Sequence, residues 1–199
     1  MTTNKKHTLA VKTGSVQERL LGLPPIVSAN TRLLILGSFP GAASLRAQQY
    51  YAHPQNQFWR ILQAIWPTIP LETGVASYEK RCDWLLARGL GLWDVYASCE
   101  RAGSLDSAIR NARVNDFAGL KRRCPQLRAI AHNGGESFKH AKRVIASLGL
   151  PHFAVLKLPS TSPANASWSF ERKLIAWREV MAAAGLVKTS TSSVRTDRA

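Results

Sequence analysis

Four adjacent aliphatic side chains, Leu33 to Leu36, lead into Gly37-Ser-Phe-Pro-Gly41 and leave no polar face to give to water. A strand of that kind is buried on both sides, as happens when helices cover both faces of a mainly parallel sheet. Three further short runs share the character: Leu90-Gly-Leu-Trp-Asp-Val95, Leu127-Arg-Ala-Ile-Ala131 and Phe153-Ala-Val-Leu156. Helical patterns separate them. Asn56 can cap a helix carrying Phe58, Ile61, Leu62 and Ile65 until Pro67 stops it. A second helix runs roughly from Ser77 to Arg88, and Asn115 opens a short third with Phe117 and Leu120 inward. Gly134-Gly135 starts a fourth, with Phe138, Ala141, Ile145 and Leu148 on one face and Gly149 closing it. The last spans about Trp168 to Ala184, with Phe170, Leu174, Trp177 and Met181 as the core-facing stripe and Arg172, Lys173 and Arg178 outside. Alternating strands and helices imply right-handed crossovers, so the expected fold is α/β, a three-layer α/β/α sandwich around a four-stranded, mainly parallel sheet.

Residues 16–186 read as a single domain between two basic tails, 1–15 and 187–199, whose Thr, Ser, Lys and Arg content marks them as mobile. No apolar stretch approaches the ~18–20 residues of a membrane span, and no leader-like h-region opens the chain. The chain is therefore expected to be soluble and unexported. Cys82, Cys99 and Cys124 are scattered, without metal-ligand spacing, which suits small buried residues in a reducing cytoplasm and no metal site. The formal charge is +15, of which the tails hold +3 and +2, leaving +10 on the body. A folded body with that excess attracts polyanions, through a counterion-release term that is blind to sequence.

Ligands of open α/β sheets gather beyond the carboxyl ends of the strands. Four unusual segments follow those ends: Ser38 to Asn56, Tyr96 to Ser104, His132 to Gly135, and Pro159 to Ser167. The first is long for a strand-to-helix connection, and loops of that length in small domains are usually functional. Gly37 and Gly41 permit a tight turn with exposed backbone N–H groups. Phe39, Tyr50, Tyr51, Phe58 and Trp59 can wall a flat pocket suited to a nucleobase. His53 and Asn56 add polar groups, and an amide orients a water or a base without titrating. Equally, Asn56 reads as a plain helix cap and His53 as an ordinary loop histidine. The last segment joins two prolines to Ser160-Thr161-Ser162, which stiffens a loop while offering hydroxyls; it suits phosphate binding, with Pro163-Ala164 as a small apolar tip, or a simple connector. Asn133 can face the same crevice, although Asn-Gly pairs are common turns. Ser104 to Ser107 read as turn or cap residues, and Asp94 is a candidate buried carboxylate.

Gly37-Ser-Phe-Pro-Gly41, Tyr50-Tyr-x-His-Pro-x-Asn-x-Phe-Trp59, Leu92-Trp-Asp-Val95 with Ser98-Cys-x-Arg-x-Gly-Ser-Leu-Asp-Ser107, and Leu158-Pro-Ser-Thr-Ser-Pro-Ala-Asn-Ala166 together resemble the uracil-DNA glycosylase superfamily, and within it the hypoxanthine-DNA (deoxyinosine) glycosylases. The likeness spans roughly residues 30–180. It implies a monofunctional enzyme without cofactor or metal, acting on DNA as a monomer in the cytoplasm or nucleoid; it flips a deaminated base and hydrolyses its N-glycosidic bond. The same resemblance implies Asn56 as the residue that positions water, with His53 in support. It places Ser38, Phe39, Gly41, Tyr51, Phe58 and Asn133 around the base, and Ser44, Ser160, Thr161, Ser162, Pro163, Ala164 and Asn165 on the DNA. One departure matters: uracil-excising relatives carry Asp or Asn where this chain has Phe39, which cannot activate water. The competing readings are a mismatch-specific uracil or thymine glycosylase, a non-catalytic damaged- or single-strand-DNA binding module, and, last, a hydrolase of free nucleosides.

Overall fold

The computed structural model describes residues 18–72, 74, 77–149 and 153–188. The tails read from sequence, apart from residues 187 and 188, lie outside the described residues. Strand β2 (Leu33–Gly37) is buried at every position, and its period of two divides its side chains between two cores. Leu33 and Ile35 pack with Phe58, Trp59, Ile61, Leu62, Trp177 and Met181 on one face. Leu34 and Leu36 pack with Phe117, Leu120, Ile130, Val144 and Leu148 on the other. Helices α2 (Phe58–Ile65), α3 (Tyr78–Leu86) and α7 (Phe170–Ala183) cover the first face, and α4 (Leu120–Arg123) and α6 (Ala141–Leu148) the second. Between them β2, β3 (Leu90–Asp94), β6 (Ala129–Asn133) and β7 (Ala154–Leu158) form a parallel sheet in the order β3-β2-β6-β7. This is the expected three-layer sandwich.

Three expectations need correction. Tyr96 to Ser104 is not all loop. Tyr96–Glu100 is a strand, β4, in a second, antiparallel sheet ordered β1-β4-β5 with β1 (Arg19–Leu21) and β5 (Arg110–Val114). The β5 run Arg-Asn-Ala-Arg-Val is exposed except at its last residue and carries no apolar alternation for a pattern to reveal. The helix opened by Gly134-Gly135 is two pieces, α5 (Gly135–Phe138) and α6. The break at Lys139-His140 shifts the helical phase, so Val144 is sealed in the core while Phe138 is exposed beneath the Lys157 ammonium, 5.6 Å from its ring centre. Finally, Lys173 is not on the outer face of α7: it is 2% exposed, and its Nζ donates to the Asn165 carbonyl at 3.0 Å. Arg178 is half-buried and donates to the Ala64 carbonyl, while Arg172 is exposed over the Trp168 ring.

The three cysteines are free; Cys99 and Cys124 are buried and Cys82 is half-buried. Among the described residues no helix is long and apolar enough to cross a membrane.

His132, wholly buried in β6, introduces a pH dependence. Ser137 gives its hydroxyl proton to the Leu36 carbonyl, so His132 Nδ1 donates to Ser137 Oγ at 2.8 Å and Nε2 is left an acceptor without a partner among the described residues. Burial holds this imidazole down to about 4. A folded value below the unfolded one gives stability that is present above pH ~6.5 and lost as pH falls toward 4. Thermal melts should therefore show a decline through this window, above the range of ordinary carboxylates, and His132→Leu should flatten it.

Candidate functional site

The last residues of all four parallel strands, Gly37, Asp94, Asn133 and Leu158, line one cavity of about 860 Å³. That volume is in the ~300–1,000 Å³ range of small-ligand sites. Most of its remaining wall comes from the segments singled out in the sequence, Ser38 to Ser44, Tyr50 to Asn56, Ser104, Gly134-Gly135 and Pro159 to Asn165, and Leu105, Asp106, Lys157, Trp168 and Ala176 complete it.

Phe39 lies 6% exposed beneath the cavity, with the Arg101 guanidinium 5.1 Å from its ring centre on the protein side. Arg101 is itself buried and donates to the Pro40 carbonyl, which fixes the turn around Phe39. Tyr51 is held from two directions. Its ring stacks on Phe58 at 4.0 Å between centres, and its hydroxyl accepts from Asn133 Nδ2 at 3.1 Å. Its backbone sits at φ 55°, a conformation that non-glycine residues keep only where their surroundings enforce it. Phe58, expected at the base, does not line the cavity; it is fully buried behind Tyr51.

Asn133 reaches the cavity, but its amide is engaged within the protein. Nδ2 donates to Tyr51 Oη and to Thr161 Oγ1 (3.0 Å), and Oδ1 accepts from the Thr161 backbone N–H at 3.0 Å. Asn133 thus ties strand β6 to the 159–169 loop. Gly134 follows at φ 105°, and a Cβ there would stand 3.0 Å from Ser160 Cβ, so the loop packs directly on the strand end.

That loop is stiff for reasons its composition announces. Ser160 Oγ accepts from Ser162 N–H, Ser162 Oγ from Ala164 N–H, and Asn165 Nδ2 donates to the Ser160 carbonyl. Lys173 from below and Trp177 Nε1, which donates to the Pro159 carbonyl, anchor it to α7. Pro163 and Ala164 are left exposed at its tip. Beyond Trp168 a smaller groove of about 560 Å³ continues past Arg60, Ser169 and Lys173.

Asn56 is half-buried at the cavity wall. Its Oδ1 accepts from Phe58 N–H at 3.0 Å, so it satisfies the first N–H of α2 from one residue ahead of the N-cap, which is Gln57 and not Asn56 as expected, while Nδ2 makes no hydrogen bond among the described residues. Next to it the Gln57 N–H donates to the Thr161 carbonyl, joining this wall to the loop. His53 is exposed at the mouth, where Nδ1 accepts from Gln55 N–H at 3.2 Å. Ser44 Oγ accepts from Ala52 N–H, and Ser38 Oγ donates to Asp106 Oδ1 at 2.6 Å. Asp94, only a passing candidate in the sequence, is the cavity's buried carboxylate. Asp106, Lys173 and Trp168 had no distinguishing signal: each reads locally as a turn, a helix surface or a flank. Among the described residues no group of three or more His, Cys, Asp or Glu is placed to hold a metal ion.

Fold and cavity together describe an α/β/α protein with a polar-and-aromatic slot at the carboxyl ends of its parallel sheet. A family model for the uracil DNA glycosylase superfamily matches residues 24–181. The chain is 38% identical over 152 residues to a hypoxanthine DNA glycosylase of Methanosarcina acetivorans, covering 76% of this chain and 92% of that protein. It is 35% identical over 158 residues to a hypoxanthine DNA glycosylase of Methanosarcina barkeri, covering 79% and 95%. The solution structure of a putative uracil DNA glycosylase from Methanosarcina acetivorans superposes with a TM-score of 0.69 at 34% identity, covering 84% of this chain and 99% of that one. This chain belongs to the uracil DNA glycosylase superfamily.

Proposed function

We propose that this protein is a monofunctional DNA glycosylase that extrudes hypoxanthine from DNA and hydrolyses its N-glycosidic bond, leaving an abasic site. The observation that carries the reading is a single cavity that gathers Phe39, Tyr51, His53, Asn56 and the 160–165 loop, in a chain that matches two hypoxanthine DNA glycosylases over 76% and 79% of its length. A base inside a duplex is inaccessible to water, so it must leave the stack before cleavage. Phe39 and Tyr51 frame it once extruded. Ser160 to Asn165 follow the backbone, with Pro163-Ala164 facing the gap, and the groove past Arg60 and Lys173 takes the flanking phosphates.

Cleavage builds positive charge on the sugar and negative charge on the departing base. Asn56 positions the attacking water through its free Nδ2 and the second lone pair of Oδ1, with His53 in support. An amide is a poor base, but an oxocarbenium-like sugar accepts a weakly activated water. With Phe39 where uracil-excising relatives place an Asp or Asn, hypoxanthine ranks ahead of uracil. The protein acts as a monomer, in the compartment that holds the DNA.

The test is incubation with end-labelled duplexes carrying one hypoxanthine, uracil or xanthine, followed by alkali to cut abasic sites. Cleavage at hypoxanthine alone is the expected result. Preferred cleavage at uracil replaces this reading with that of a uracil glycosylase, and salt-sensitive binding without cleavage replaces it with that of a binding module.

A further inference from the structure

Among the described residues two carboxyl groups line the cavity. Asp94 is sealed in the floor at the end of β3, whereas Asp106 is exposed on the wall, where it opens a 3-10 turn (Asp106–Ala108). Asp106 is held in place from several sides. Ser38 Oγ donates to its Oδ1 at 2.6 Å, and the Ile109 N–H closes the turn on its carbonyl at 3.1 Å. Two residues earlier, Ser104 Oγ accepts at 3.0 Å from the N–H of Ala42, which starts helix α1 (Ala42–Ala47). Oδ2 makes no hydrogen bond among the described residues. Partial burial of the carboxyl raises its pKa, and the Ser38 hydroxyl, Arg101 and Lys139 draw it back toward the charged form against Glu136.

An anion at this place works against binding. DNA is a polyanion, and the body carries an excess of +10 that attracts it, so a carboxylate fixed on the wall that receives the nucleotide lowers affinity. Its charge is useful only where the bound nucleotide turns positive. The sugar does so as the glycosidic bond breaks, when C1′ and the ring oxygen share an oxocarbenium-like charge. The bond from Ser38, the neighbour of Phe39, sets the carboxylate beside the ring that frames the base.

Resting on the glycosylase reading, we infer that Asp106 is a further catalytic residue, whose carboxylate faces the deoxyribose and stabilises the positive sugar as hypoxanthine departs. In that step the C1′–N9 bond breaks with its electron pair going to the purine. The oxygen of the water held by Asn56 bonds to C1′, and that water's proton passes through the cavity solvent to the purine. Asp106 exchanges no proton. Its attraction for the sugar is absent in the bound substrate and grows with the charge, so it acts on the barrier and not on binding. DNA closing over the cavity displaces water and strengthens that attraction.

Two measurements on Asp106→Asn test this: single-turnover release of hypoxanthine, and affinity for a duplex carrying 2′-fluoro-deoxyinosine, whose electron-withdrawing fluorine keeps the sugar cation from forming. Asparagine keeps the shape of the side chain and an oxygen for the Ser38 hydroxyl. Release should be about 10²-fold slower. Affinity for the fluorinated duplex should instead rise about threefold at low salt, because one charge that repels phosphate is gone. Opposite signs for rate and affinity are the signature, since a purely structural role would weaken both or neither. If Asp106→Asn melts well below the wild type, Asp106→Ser, smaller and uncharged, carries the same pair of measurements. Release within a few-fold of the wild-type rate overturns the inference, as does a slower release matched by an equal loss of affinity. Absence of hypoxanthine release by the wild type instead removes the glycosylase reading itself.

Discussion

Asn56→Ala is expected to lower the single-turnover rate of hypoxanthine release by about 10²–10³-fold, the loss typical when one preorganised polar group is removed from a reacting centre. Affinity for an uncleaved hypoxanthine duplex should stay within a few-fold, because the loop 160–165, Arg60 and Lys173 are untouched. The structure adds a second, smaller effect that has to be separated from the first. Asn56 Oδ1 accepts from Phe58 N–H at the start of α2, and losing a side-chain bond to a helix's first N–H groups costs about 1 kcal/mol. A slightly lower melting temperature is therefore part of the expected result. If Asn56 made this bond and did nothing more, the variant would lose that stability and keep its excision rate. The two measurements, melting and single-turnover excision, distinguish these outcomes in one purified protein.

What the sequence makes legible follows from where each signal is generated. Leu33 to Leu36 reveal a central strand because every side chain in that run is buried, half toward each helical layer; burial on both faces needs no partner to be recognised. The antiparallel sheet is different. Arg110 to Val114 lies mostly in solvent and holds its place through pairing with β4, a relation between distant segments that leaves no periodicity in either. The same contrast holds in the site. Loop lengths and strand ends locate the cavity, since those are local properties. The jobs of individual residues are pairwise: Asn133 is committed to Tyr51 and Thr161, Phe58 backs Tyr51 from the core, and Lys173 is drawn inward by the Asn165 carbonyl. Helical spacing puts Lys173 one residue from the core stripe of α7. Only the loop lying over it turns that position from surface to interior.

Gly37→Ala should be damaging out of proportion to one methyl group. Gly37 is paired with Asp94 across the β2–β3 ladder, and its carbonyl accepts from Val95 N–H at 2.9 Å, so its backbone has little room to retreat. The new Cβ would stand 2.2 Å from Asp94 Oδ1, 3.4 Å from Tyr51 Oη and 3.5 Å from Asp94 Cγ. Asp94 must move by about an ångström, and a displacement of that size at a reacting centre is worth about 10²-fold in rate. Overpacking a buried strand end also costs about 1–3 kcal/mol, readable as a lower melting temperature. Adding Asp94→Ala to Gly37→Ala separates the two effects. Removing the carboxyl relieves the clash, so the double variant should regain most of the lost stability, while excision should remain as slow as in Asp94→Ala alone. If Gly37→Ala melts and excises like the wild type, the floor of the cavity is softer than the close apposition of Gly37 to Asp94 indicates.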